Sequence, residues 1–300
     1  MPHSRAIAIP FAVCCAGVAL FSVMDAAMKG LSLSIGLFNA LFWRALAGSL
    51  LGLALMLLTR QRWPTWAVLR LHLLRGSVVA LMASLFFWAL MRMPLAEAIG
   101  LSFIAPLIAL YLAALLLGER IGRQAIAASL LGLVGVAVIL SGRMQGRYDA
   151  DALLGALAVL ASAVLFAWNL ILQRQQAQLA SPIEVAFFQH GVMFAIFALV
   201  AAAMGWAPAL PAVGSGLLVL VAATLAFTSL AALAWAYARA EAQRLIPVEY
   251  SAFLWAAIIG SLVFGDRLTV TTLAGTLLIV TGCLVAARAG RPIEMHEGIG

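Results

Sequence analysis

Long apolar blocks, each closed by a short group of polar, glycine or proline residues, follow one another from Ala6 almost to the C-terminus. Crossing a hydrocarbon core of about 30 Å takes about 20 apolar residues in a helix, because lipid offers free backbone amides no partner. The blocks predict spans over 7–28, 36–58, 72–92, 95–117 and 124–141, then 152–172, 183–204, 215–238, 246–264 and 270–287. They lack the alternating pattern of a membrane barrel. Turn chemistry separates them at Arg60-Gln61-Arg62-Trp63-Pro64 and again from Gly205 to Pro211. The most polar stretch, Gly142 to Asp151, lies near the middle and reads as a linker.

The two sides of that linker repeat one another. Leu95-Ala96-Glu97-Ala98, Pro106 and Leu117-Gly118-Glu119-Arg120 recur, altered, as Ala240-Glu241-Ala242, Pro247 and Phe264-Gly265-Asp266-Arg267. Setting Glu119 on Asp266 gives an offset of 266 − 119 = 147, and the same offset sets Trp88-Ala89 on Trp235-Ala236. The predicted organisation is a first five-helix repeat over 1–141, a linker over 142–151, a second repeat over 152–287 and a polar tail over 288–300. An odd number of spans per repeat makes the second copy enter from the opposite side, so the repeats are inverted. The fold class is all-α polytopic membrane protein, with ten transmembrane helices.

Composition removes the main alternative. A chain 65% hydrophobic and 10% charged, with a mean hydropathy of +1.11, is not an ordinary soluble domain. The net charge of +7 is dispersed between the apolar blocks, which points to membrane topology and not to nucleic acid. With the N-terminus inside, twelve Lys and Arg, Arg70 and Arg75 among them, fall on the inner side and five on the outer. Both termini are therefore expected in the cytoplasm. The block after His3 and Arg5 is too long for a signal-peptide core and reads as a retained first span. Cys14, Cys15 and Cys283 lie inside apolar blocks, so no disulfide or metal framework is implied. Neither an H-E-x-x-H nor a D-x-x-D run is present, and no cofactor or enzymatic activity is expected.

Ionisable groups within spans are costly and become candidates for function. Arg44 lies near the middle of the second span; at the Phe42/Phe188 offset of 146 it corresponds to His190. Both are candidates for meeting a substrate carboxylate, against the plainer reading that they are neutralised for assembly. Glu249 and Tyr250 follow Pro247, where unwound carbonyls and a carboxylate would suit an ammonium; the alternative is that Glu249 faces water beside Arg244. Asp25 and Lys29 are four apart and suited to pair with each other. An arginine such as Arg267 is the expected partner of Asp266. Trp168-Asn169, Trp43, Phe42, Phe103 and Tyr111 are candidates to line a cavity, core packing being the alternative. Trp88, Trp206, Trp235 and Tyr237 fit an interfacial belt. Pro106 and Pro247, with Gly100 and Gly260, are candidate hinges.

Ten spans in two five-helix repeats, with Ala105-Pro106 and Leu116-Leu117-Gly118-Glu119 as the best-matching motif, resemble the EamA-type branch of the drug/metabolite transporter superfamily. The second copy departs from that motif at Asp266 and in the depth of Pro247. The resemblance implies a central cavity and alternating-access transport of small metabolites across the bacterial inner membrane, often outward. The aromatic-rich core is most similar to the amino-acid exporter branch, aromatic amino acids included. The expected partners are a small-molecule substrate and the lipid bilayer, with monomer or homodimer left open. A lipid flippase and an intramembrane enzyme are the rival classes.

Overall fold

A computed structural model of the chain describes residues 2–117, 123–144, 150–239, 248 and 250–289. Among these residues there are eleven helices, ten of them of 13 residues or more. The first repeat holds α1 (Pro2–Ile35), α2 (Leu37–Leu58), α3 (Trp66–Leu90), α4 (Leu95–Ser102), α5 (Ala105–Leu117) and α6 (Arg123–Met144). The second holds α7 (Ala150–Ala177), α8 (Pro182–Ala203), α9 (Val213–Tyr237), α10 (Ser251–Phe264) and α11 (Val270–Ala289). Six of these helices are long and apolar enough to cross a membrane.

The predicted fourth span is two helices. Pro106 falls in the first turn of α5, and the amides of Phe103 and Ile104 turn back to Gly100 O and Leu101 O at 3.3 and 3.2 Å. Proline has no amide for an upstream carbonyl and disfavours helix just before it, so the ladder breaks within one turn. Ser181 starts α8 by accepting from the Glu184 amide at 3.2 Å, with Pro182 at the first helical position.

Packing exchanges partners between repeats. The main contact of α1 is with α9, and that of α7 is with α3, the same pair with the repeats swapped. Two further pairs, α2 with α8 and α6 with α11, each join a helix to its own counterpart. This is the arrangement a pseudo-two-fold axis produces. Gly135 and Gly275 make the α6–α11 crossing possible, because a Cβ on either would lie 2.5 Å from the other's carbonyl oxygen.

A side-chain motif also repeats at the 147 offset. Arg92 lies over the Trp88 ring, Cζ to centroid 3.5 Å, and donates to Trp88 O at 3.0 Å. Arg239 does the same with Trp235, at 4.2 and 3.3 Å. Each arginine closes the last turn of its helix, and inversion puts the two at opposite ends of the bundle. The end where α1 begins is called the near end below, and the end where α1 gives way to α2 the far end.

Candidate functional site

Three helices converge on Arg44. It is 5% exposed, and its Nη1 finds only the thioether of Met24 at 3.9 Å, while its Cζ lies 5.6 Å from the Phe87 ring centre. The buried Nε has no hydrogen-bond partner among the described residues. A guanidinium carries five N–H donors, and a sulfur with an aromatic face satisfies them poorly.

Asp25, next to Met24, is also 5% exposed, and its charge and that of Arg44 act on one another. They are not joined: the ion pairs among the described residues are Lys29–Asp266 and His72–Glu184. A buried carboxyl group and a guanidinium that do not pair with each other leave both able to bind a third group. His190 completes the cluster from α8. Its Nδ1 donates to Ala186 O at 2.8 Å, which leaves Nε2 as the acceptor of the neutral ring. The ring fits against α2 because residue 48, one turn from Arg44, is glycine; a Cβ there would lie 2.2 Å from His190 Cδ2.

The aromatic candidates divide. Trp43 donates from Nε1 to Ala209 O at 2.8 Å and meets Phe42 edge-on at 5.3 Å, so it ties α2 to the α8–α9 connection. Phe42 also packs on Phe194 at 5.3 Å. Phe103 meets Tyr250 edge-on at 5.1 Å, joining the α4–α5 break to the start of α10. Tyr111 is half-buried on α5. Trp168, expected in the cavity, lies instead on the exposed stripe of α7 with Leu153, Leu157 and Val164. The polar Asn169 faces inward, and the helical period turns its neighbour out.

Gly100 and Gly260, expected as hinges, lie at close approaches. A Cβ on Gly100 would be 2.4 Å from Thr276 Oγ1, and one on Gly260 would be 3.1 Å from Asp266 Oδ2. Pro247 and Glu249 lie outside the described residues.

Asn169 belongs to a buried network toward the near end. Arg75 donates from Nε to Asn169 Oδ1 at 2.9 Å and from Nη1 to Gln176 Oε1. Because Arg75 only donates, the Gln176 amide turns its NH2 to His72 Nδ1. The His72 proton is therefore on Nε2, which donates to Glu184 Oε1 at 3.0 Å. Reading Arg75 as a loop cation missed this network; the residue is 2% exposed inside α3. The only signal for it in the sequence was His72 one turn before Arg75, at helical spacing.

Lys29 and Asp266 join the repeats at the far end. Lys29 Nζ donates to Asp266 Oδ2 at 3.1 Å and to Met93 O at 3.2 Å, with the Phe264 ring centre 4.6 Å away. The same carboxylate oxygen accepts from the Leu95 amide at 2.9 Å, at the start of α4. The expected Asp25–Lys29 pair is not formed, and the partner of Asp266 is Lys29, not Arg267. A carboxylate at a helix N-terminus gains from the local dipole as well as from the ammonium.

The family model of the EamA-like transporter family matches the chain twice, over residues 8–141 and 153–288. No curated protein matches it. A solved structure titled only "Crystal structure of protein" superposes with a TM-score of 0.61 at 23% identity, over 97% of this chain and 99% of that one. At that identity the likeness speaks for the fold alone.

Proposed function

The chain belongs to the EamA-like transporter family, a family of membrane transporters and not of enzymes, and from that premise we propose that it carries small amphiphilic metabolites, amino acids and aromatic amino acids among them. The carboxylate of such a substrate meets Arg44 and its ammonium meets Asp25. The observation that supports this most is the Arg44 guanidinium, buried with its Nε unpartnered and with Asp25 near but out of contact. An α-amino acid presents both charges on one carbon, and its side chain suits apolar surroundings such as Met24 and Phe87. His190 stands beside them as a hydrogen-bond acceptor. Transport runs by alternating access between the two repeats, outward across a bacterial inner membrane, with both termini in the cytoplasm.

Uptake of labelled neutral and aromatic amino acids into proteoliposomes tests this. Arg44→Ala and Asp25→Asn are each expected to abolish saturable flux while the purified protein stays folded, and Trp168→Ala is expected to retain it. Flux that survives both changes in the charged pair would remove the site. A wild-type protein with no flux above empty liposomes would remove the substrate class.

A further inference from the structure

The second and eighth helices end in one and the same way, at opposite ends of the bundle. After α2, the amide of Arg60 returns to Leu57 O at 3.2 Å and that of Gln61 to Met56 O at 3.0 Å. After α8, the amide of Gly205 returns to Ala202 O at 3.2 Å and that of Trp206 to Ala201 O at 2.9 Å. Both are Schellman endings, whose turning residue takes the left-handed conformation. At 205 that residue is glycine, with φ 62°; at 60 it is arginine, with φ 49°, the one non-glycine positive φ among the described residues. A side chain is disfavoured there, and a strained position is a reason to look for function.

The surroundings of Arg60 differ from those of Gly205 in the same sense. Arg60, Arg62 and Arg70 are all exposed, and none forms an ion pair with a described residue. Trp63 and Trp66 are 63% and 61% exposed, and Arg70 lies over the Trp66 ring at 5.2 Å. The connection is nevertheless held. Gln61 accepts from Ser181 Oγ at 3.0 Å, and Trp63 meets the Phe187 and Phe188 rings edge-on at 6.1 Å. The equivalent far-end connection, 204–212, carries no charged residue at all.

We propose that Arg60, Arg62 and Arg70, flanked by Trp63 and Trp66, bind the headgroup of an anionic phospholipid in the near-end leaflet. Three guanidiniums without carboxylate partners among the described residues suit a phosphate diester, because each offers paired donors to its oxygens. Tryptophan prefers the membrane boundary, and two exposed indoles where α2 ends and α3 begins suit that boundary and set the arginines beside headgroups. Arginine in place of glycine at residue 60 gives up backbone comfort for a third positive charge on the site.

The test is lipid binding to the purified full chain by native mass spectrometry, with phosphatidylglycerol against phosphatidylcholine, alongside its melting temperature in lipid-free detergent. The wild-type protein is expected to hold phosphatidylglycerol in preference. Arg60→Gly, Arg62→Gln and Arg70→Gln are each expected to weaken that binding about fivefold, with Arg60→Gly raising the melting temperature. Arg267→Gln, an exposed change at the far end, is expected to leave it alone. Equal binding of the two lipids, an unchanged preference in the triple variant, or an equal loss from Arg267→Gln would overturn the proposal. Displacement of the lipid by millimolar inorganic phosphate would overturn the lipid as the ligand.

Discussion

Lys29 and Asp266 stand 237 residues apart in the chain and 3.1 Å apart in the fold, with side chains 7% and 18% exposed. Removing one member of a buried pair strands the other charge, at a cost of about 3 to 5 kcal/mol. Lys29→Met and Asp266→Leu are each expected to lower stability by about that amount, and the double variant by clearly less than the sum. Detergent unfolding of all four proteins measures the coupling. Strictly additive losses would mean the contact contributes nothing.

The α6–α11 crossing is expected to tolerate no side chain. Gly135→Ala puts a Cβ 2.5 Å from Gly275 O, and Gly275→Ala does the reverse. Backbone cannot move aside as a flexible side chain does, so each is expected to cost about 1 to 3 kcal/mol. One separation of the helices relieves both clashes, and the double variant should therefore lose little more than either single. Melting temperatures that match the wild type would show that the crossing has room for a methyl group at both positions.

Glu184 accepts a proton-bearing Nε2 from a neutral His72, since Gln176 already occupies Nδ1. Glu184→Gln keeps an acceptor in place and is expected to cost less than about 1 kcal/mol, whereas Glu184→Ala leaves a buried donor unmatched at about 1 to 3 kcal/mol. If the glutamine variant unfolds as readily as the alanine variant, His72 is an imidazolium and the assigned proton order is wrong.

Arg60→Gly is expected to raise stability by about 1 kcal/mol, because it relieves the left-handed strain that Gly205 does not have. A loss of stability from that change would show that the arginine side chain holds the connection, a role that no described contact gives it.

Gly48→Ala brings a Cβ within 2.2 Å of the His190 ring. His190→Ala alone should restore the space, so transport lost in Gly48→Ala through this clash should be as low in the double variant only if the imidazole itself is needed. The pair of flux measurements therefore separates a steric fault from a requirement for His190.

Much of the frame was legible in the residues. Backbone amides cannot be left bare in lipid, so apolar length alone located the spans, and the Glu119/Asp266 register exposed the duplication. The site was legible in part. Arg44 drew attention because charge in a span is costly, and it is indeed buried with an orphaned Nε. Trp168 misled, because composition does not say which way a helix is turned. Arg75 was hidden by its place at the start of a block, where a charge reads as loop; Asn169 drew attention only as a cavity residue, and Gln176 looks unremarkable on its own helix.

The sequence by itself determined the membrane-helical class, the doubling, the inversion that follows from an odd count, and the weak point at Pro106, which the structure turns into a break between two helices. Each depends on a local or periodic cost: backbone solvation, helix length, a missing amide. Only the tertiary structure decided which charges meet. Asp25 passes over Lys29, one turn away, and faces Arg44 without touching it; Lys29 turns to Asp266; Arg75 crosses to Asn169 and Gln176. In a medium that solvates no charge, a side chain is satisfied by whatever the packing of whole helices brings within 3 Å, and neighbours in sequence have no prior claim.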